Sequence, residues 1–349
     1  MGNGAVVFSR GLRGLSGVVA ALGLILGPAL YMVYADYQVF LDTPLGVPAA
    51  GVVLELKPGS GVAELARQLR QQPGLLRSAL YLQAYARLQG LAPRLKAGEY
   101  ALQAGDTPRL LLGRIVAGRV IQYPLTVVEG WTFRQLRQAL AAHPKIVQTL
   151  GEVSDAEVMA RLGRSGLFPE GRFFPDTYHF PAGTTDVAFL RRALAALEQQ
   201  LATAWARRAA DLPLENPEQV LILASIVEKE TGLPAERPQI AGVFLRRLRL
   251  GMPLQTDPTV IYGLGTAYDG NLRRRDLNAD TPYNTYTRKG LPPTPIALPS
   301  AAALAATVEP DPGEALYFVA TGEGGHVFSR TLEEHNRAVR RYQLRDKTP

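Results

Sequence analysis

The stretch 221–231, LILASIVEKET, constrains the fold more than any other part of the chain. It reads as an apolar helix that ends in two carboxylates, Glu228 and Glu230. Asn216 suits the N-cap, Pro217 suits the first helical position, and Gly232 followed by Pro234 stops the helix. Between Leu221 and Val227 the one polar residue is Ser225. A helix that is apolar nearly all round is buried, so the C-terminal half must be built around this one. A Glu at its end costs free energy unless it is paired, protonated or open to a cleft. Helical spacing puts Glu230 on a face with Leu223, Ile226 and Val227, and Glu228 on a face with Leu221, Ala224 and Ser225. Glu230 thus has the more apolar face, where desolvation raises a carboxyl pKa and keeps the acid protonated. The plain structural alternative for either residue is a helix-end charge facing water.

At 349 residues the chain exceeds one ordinary core, so two or three domains are expected. With 47% hydrophobic and 20% charged residues, its composition is globular. There is no cysteine, which removes disulfides and thiolate chemistry. Residues 14–35, GLSGVVAALGLILGPALYMVYA, carry no charge and are long enough to span a bilayer as a helix. Arg10 and Arg13 precede the run and Asp36 follows it. The positive-inside rule then makes the N-terminus cytoplasmic and the bulk of the chain extracytoplasmic, a single-pass protein of the inner (cell) membrane. A cleaved signal peptide fits less well, because the run is longer than an h-region and no clear A-x-A site follows. The net charge of +7 suits an anionic surface or wall polymer as readily as a solvated face, and an exported domain has no nucleic acid to meet.

The expected fold class is α+β. After a cytoplasmic tail (1–13) and the membrane helix (14–35), residues 36–50 read as a stalk punctuated by Pro44 and Pro48. A small α/β module over 51–122 begins with a strand, a glycine turn and an amphipathic helix (LELKPGSGVAELARQL). The same pattern recurs at LTVVEGWTFRQLRQAL, with Gly59 against Gly130, inside a connecting α/β region, 123–215. The loop EGRFFPDTY, from Glu170, offers aromatics that suit either sugar stacking or packing between domains. The remaining domain, 216–349, follows the buried helix with a second one, IAGVFLRRLRL, whose Arg246, Arg247 and Arg249 are expected largely outside. A Gln255-Thr256-Asp257 loop enters a short helix with Asp257 as its cap. A Pro-rich segment holds Tyr283, Asn284 and Tyr286, and a terminal hairpin lies around 322–325.

Metal chemistry is not expected, since His143, His179, His326 and His335 are scattered without ligand spacing. No cofactor fingerprint stands in a proper strand–helix context. What remains is acid–base chemistry on a desolvated carboxylate among amides, hydroxyls and tyrosines. On an exported, anchored protein that chemistry points to glycosidic bond cleavage. Hydrolysis calls for a second carboxylate, for which Asp257, Asp176 and Glu228 are available. One acid/base suffices where the substrate carries its own nucleophile.

The runs LASIVEKETG, IAGVFLRRLRLGMPLQTDPTVIYGLG, TPYNTYTRKGLPPTPIALPS and LYFVATGEGGHVFSRTLEEHN resemble the MltG/YceG-like family of endolytic murein transglycosylases. The resemblance extends to EGRFFPDTY and to a LysM-like module at 51–122. It implies a lysozyme-like helical core, cleavage of the MurNAc-β-1,4-GlcNAc bond within peptidoglycan strands, and 1,6-anhydroMurNAc ends that terminate nascent strands. It also implies peptidoglycan synthases (penicillin-binding proteins) as partners. The catalytic Glu of such enzymes is commonly followed by Ser. Here Thr231 follows Glu230, which selects Glu230 over Glu228. Gln255, Asp257, Tyr283, Asn284 and Tyr286 are then expected to bind the substrate's N-acetyl and hydroxyl groups, each against a purely structural role. The rival readings are an anchored peptidoglycan-binding scaffold and a hydrolytic muramidase.

Overall fold

The computed structural model describes residue 24 and residues 26–344. The chain divides into two compact units, Met1–Tyr123 and Pro124–Pro349. The architecture is mixed α+β, with small two-stranded sheets set among helices.

In the first unit, helix α1 covers 26–42. Half of the apolar run 14–35 lies outside the described residues. Among those described, no helix is long and apolar enough to cross a membrane. Leu26, Leu30, Tyr31, Met32, Val33 and Tyr34 are all exposed on α1, whereas Phe40 and Leu41 at its end are buried. The segment expected to be a stalk is not one. Phe40, Leu41, Leu45 and Val47 join the core of the first unit, because apolar side chains this close to a folded module gain more by packing than by extending. Strand β1 (Val52–Leu56), helices α2 (Val62–Gln71) and α3 (Ala79–Leu88), and strand β2 (Gly98–Leu102) follow, with β1 antiparallel to β2 and Leu54 opposite Tyr100. On α2 the spacing Val62, Leu65, Ala66, Leu69 becomes the buried face, as its period demands. Helix α4 (Pro108–Ala117) starts on a Thr107 cap and closes the unit.

Strand β3 (Gln122–Thr126) crosses from one unit into the next and pairs with β5 (Thr177–Pro181). Helix α5 (Phe133–Ala142) follows it, so the repeated pattern does form strand, turn and helix twice. Gly59 and Gly130, at φ 83° and 73°, occupy the left-handed region that the two turns require. The aromatics of EGRFFPDTY pack inward. Phe173 is fully buried and stacks on Phe133 at 5.1 Å, and Tyr178 is buried against Phe189. Gly171 in the same loop lets the chain pass Pro295, since a Cβ there would lie 2.4 Å from the Pro295 Cβ.

Helix α8 (Pro217–Glu230) is the axis of the second unit. Asn216 caps it by accepting from the Gln219 N–H. It packs on α7 (Asp186–Ala206), α9 (Arg237–Arg249), α10 (Asp257–Leu264) and α12 (Ala301–Val308). Neighbours on all sides explain the absence of a polar face: Val220 to Val227 are all buried. Each large aliphatic side chain among them contributes about 1.5–3 kcal/mol. Even Ser225 is satisfied internally, donating to the Ile222 carbonyl and accepting from the Ile296 N–H. A hairpin of β7 (Tyr317–Ala320) and β8 (His326–Ser329), then α13 (Leu332–Tyr342), complete the unit.

Candidate active site

The two carboxylates at the end of α8 have different surroundings. Glu228 is turned into protein, with its side chain 5% exposed. It accepts from the Ser300 N–H at 2.9 Å and the Ser300 hydroxyl at 2.5 Å, and Arg237 lies 3.4 Å away. Ser300 is the N-cap of α12. Glu228 therefore ties α8 to the start of α12, and its recorded partners are structural.

Glu230 opens onto a cavity of about 390 Å³ whose walls include Arg247, Gln255, Thr256, Asp257, Tyr286 and His326. Protein crowds its carboxyl, yet the residue keeps some exposure toward the cavity. Among the described residues its one hydrogen-bonding partner is the Thr256 hydroxyl, which donates to Oε1. Burial pushes the Glu230 carboxyl up to about 7. The Thr256 hydrogen bond opposes that rise, the Asp257 charge adds to it, and His326 and Arg247 oppose it. A carboxyl that is protonated near neutrality and reachable from a cavity can donate a proton and take one back.

The cavity wall is built by the 253–257 loop and held from below. Gln255 is the one non-glycine residue at positive φ (54°) among the described residues, a conformation that ordinarily costs of order 1–3 kcal/mol. Its N–H donates to the Thr285 carbonyl at 3.0 Å, and its Oε1 accepts from Arg247 at 3.3 Å. The Thr256 N–H donates to the Thr285 hydroxyl, which also bonds the Thr259 hydroxyl. This buried threonine cluster fixes the hydroxyl that meets Glu230. Asp257 does not cap α10. Thr256 holds the N-cap position without a side-chain bond, while Asp257 is the first residue of the helix and accepts from the Tyr286 hydroxyl at 2.6 Å. Burial raises the Tyr286 phenol above its ordinary range, so it stays a donor.

The structure brings Gln255, Asp257 and Tyr286 to the cavity with Glu230, and leaves two expected residues elsewhere. Asn284 is fully buried. Its amide donates to the carbonyls of Asp276, Leu277 and Ala279 and accepts from the Tyr286 N–H, which uses it up in shaping the loop. Tyr283 lines a different cavity, and its hydroxyl bonds Thr294. Sequence reasoning also missed Arg247, which was expected in solvent. It is buried, donates through Nε to the Leu316 carbonyl and through Nη1 to those of Pro253 and Leu254, and lies over the Tyr317 ring. Its place three and four residues after Phe244 and Val243 was the signal. Thr256 and His326 were missed as well. His326 Nδ1 lies 2.8 Å from Glu236, which also accepts from the His326 N–H and the Thr231 hydroxyl. Thr231 thus serves to fasten the hairpin at the end of α8. Among the described residues no group of three or more His, Cys, Asp or Glu could hold a metal ion.

The conserved pattern of the YceG-like family matches residues 54–341. The endolytic murein transglycosylase of Bacillus subtilis (strain 168) is 31% identical over 310 residues, covering 83% of this chain and 84% of that protein. The endolytic murein transglycosylase of Streptococcus pneumoniae (strain D39) is 29% identical over 350 residues, covering 88% of this chain and 61% of that longer protein. A crystal structure of a yceG-like protein from Listeria monocytogenes superimposes with a TM-score of 0.52 at 26% identity, over 82% of this chain and 98% of that one. On these matches, which take in both the buried α8 and the cavity at its end, the chain belongs to the YceG-like family.

Proposed function

We propose that this chain is an endolytic peptidoglycan transglycosylase, a lytic enzyme in which Glu230 is the single acid/base. One observation carries the reading: among the described residues, Glu230 alone combines a raised pKa, an opening to a cavity and a single hydrogen-bonding partner, the Thr256 hydroxyl. Its carboxyl protonates the oxygen linking MurNAc C1 to GlcNAc O4, and the C1–O bond breaks to leave a GlcNAc 4-hydroxyl. The MurNAc C6 hydroxyl then attacks C1 and returns its proton to the Glu230 carboxylate. The product is a 1,6-anhydroMurNAc end, and no water is consumed. An attacking hydroxyl carried on the same sugar gains the advantage of an intramolecular reaction. Gln255, Asp257 and Tyr286 bind and orient the sugars, and Arg247 holds the Gln255 loop.

A hydrolytic outcome has one observation in its favour, the nearby Asp257 charge that Glu230 feels. Mass spectrometry of digested strands separates the two. Ends lighter by one water support transglycosylation, and reducing ends sink it. The scaffold reading predicts that Glu230→Gln leaves cellular function intact.

The finer architecture belongs to the same proposal. The β1–α2–α3–β2 arrangement supports a LysM-like module, and the helices around α8 support a lysozyme-like core. Residues 14–35 anchor the protein in the cell membrane with its N-terminus inside and the catalytic domain outside, near peptidoglycan synthases. The exposed apolar surface of α1 supports this. Recovery of the full chain from the alkaline-washed membrane fraction, with loss on deleting 14–35, tests it.

A further inference from the structure

The second unit holds a larger cavity, about 740 Å³, that the proposed chemistry does not use. Its size is ordinary for a ligand site. Tyr262 and Tyr283 form one wall, packed edge to face at 4.9 Å. Tyr268 is partly buried, and Phe168 at the rim is 44% exposed. Phe133 and Glu170 close the base. Glu170 accepts from the Phe133 N–H at 2.8 Å and from the Tyr262 hydroxyl at 3.1 Å, which fixes both the start of α5 and the tyrosine wall. Burial pushes its carboxyl up to about 7, so it carries little charge below neutrality. The other charges facing the cavity are Arg134, Lys229 and Asp155. Asp155 is paired with Arg137 at 3.1 Å. Arg134 is exposed and makes no hydrogen bond or ion pair among the described residues. Lys229 reaches only the Gly130 carbonyl, at 3.4 Å. The cavity is therefore aromatic on its walls, with two cations at its rim, Arg134 and Lys229, that have no ion-pair partner among the described residues.

Three elements are shared between this cavity and the catalytic one. Helix α10 gives Asp257 to the catalytic cavity and Pro258, Ile261 and Tyr262 to the other. The loop after α11 (Arg274–Asn278) gives Tyr286 to the first and Tyr283 to the second, and the end of α8 gives Glu230 and Lys229 respectively. The two cavities therefore share α10, the 283–286 segment and the end of α8 as common walls.

We infer that the Tyr262–Tyr268–Phe168 cavity is a second saccharide-binding site, which stacks a sugar ring of the same strand on its aromatic faces and pairs a substrate carboxylate with Arg134 and Lys229. The inference rests on the function proposed above. Amphipathic aromatic rings suit the apolar face of a sugar, and rigid ones lose little entropy on binding. The carboxylate is either the lactyl group of an unsubstituted MurNAc or an acid of an attached peptide.

The test uses the full-length chain with Glu230→Gln, with and without Arg134→Ala plus Tyr268→Ala, Arg134 being exposed and Tyr268 partly so, and a thermal melt checks that both proteins are folded. Binding is measured to three probes of equal length: GlcNAc oligomers, peptide-free GlcNAc–MurNAc strands, and peptide-bearing strands. We expect roughly tenfold weaker binding to a carboxylate-bearing strand, the size of one lost charge-assisted hydrogen bond, and a smaller loss for GlcNAc oligomers. Loss on peptide-free strands assigns the lactyl carboxylate, and loss only on peptide-bearing strands assigns the peptide. Equal affinity of the two proteins for both strands overturns the inference, as does an equal loss on all three probes. In the active protein the double variant should raise KM with kcat unchanged. A wild-type enzyme that yields no anhydro ends refutes the proposed function instead, and an unaltered KM in the variant refutes only the second site.

Discussion

The Glu230 cavity and the Glu170 cavity hold carboxyls that burial raises alike, to about 7, yet their surroundings assign them different work. Glu170 is buried and doubly committed, to the Phe133 N–H and the Tyr262 hydroxyl. Glu230 has one hydroxyl partner and an open side. A raised pKa therefore marks desolvation, and it identifies an acid only where lone pairs remain free for a substrate. Glu228 makes the same point from the other direction. It is the more deeply paired member of its own helix end, and its partners are structural.

The sharpest way to break this comparison is to neutralise each carboxyl in turn. Glu230→Gln should cut kcat for strand cleavage by about 10²–10⁴, the range of a lost general acid, whereas Glu170→Gln should retain activity within about tenfold, since the amide oxygen can still accept from Phe133. A dead Glu170→Gln enzyme with an intact melting curve would reverse the assignment. Next in size, Glu228→Ala should cost about 3–5 kcal/mol in denaturant unfolding, because it strands Arg237 and leaves the Ser300 N–H without its acceptor, while Glu228→Gln costs less. Arg247→Ala should follow, at roughly 1–3 kcal/mol for each buried carbonyl left without a donor. It should also lower kcat by loosening the Gln255 loop, a fall that a merely structural residue elsewhere would not produce in the same melting range.

A further effect is on stability against pH. Both raised carboxyls are neutral in the folded state below about pH 7, whereas in the unfolded chain they ionise near their ordinary 4.5. Their contribution is fully present below the unfolded value and is lost as pH rises through the folded one. Glu230→Gln and Glu170→Gln should therefore each gain stability relative to wild type as pH rises from 5 to 7, and should show little difference at pH 4. Melting curves at pH 4, 6 and 8 check this. A gain that is largest at pH 4 would contradict it.

How much of this was legible in the sequence depends on the range of the cause. The burial of α8 follows from its helical period and the Asn216 cap from the capping preference of Asn, and both stand in the structure. The same period puts Glu228 and Glu230 on different faces, but it did not reveal that Glu228 is buried against Ser300 and Arg237. The paired strand–turn–helix patterns follow from local glycine chemistry. Arg247 was misplaced because a run of arginines reads as a solvated face, although its spacing from Val243 and Phe244 put it inward. Asn284 looked like a ligand because an amide between two tyrosines resembles a binding loop, yet its bonds close over 276–279. Thr256 and Glu170 could not be found locally. Their roles depend on Thr285 and Tyr262, 29 and 92 residues away along the chain.

The central claim, that Glu230 is the proton donor, is tested most directly by the pH dependence of kcat/KM for strand cleavage in wild type and in Glu170→Gln. The account predicts a loss of activity as pH rises through about 7, where the free enzyme's acid ionises, at the same position in both proteins. A limb that vanishes or moves in Glu170→Gln, or one that lies near 4.5 in wild type, would contradict it.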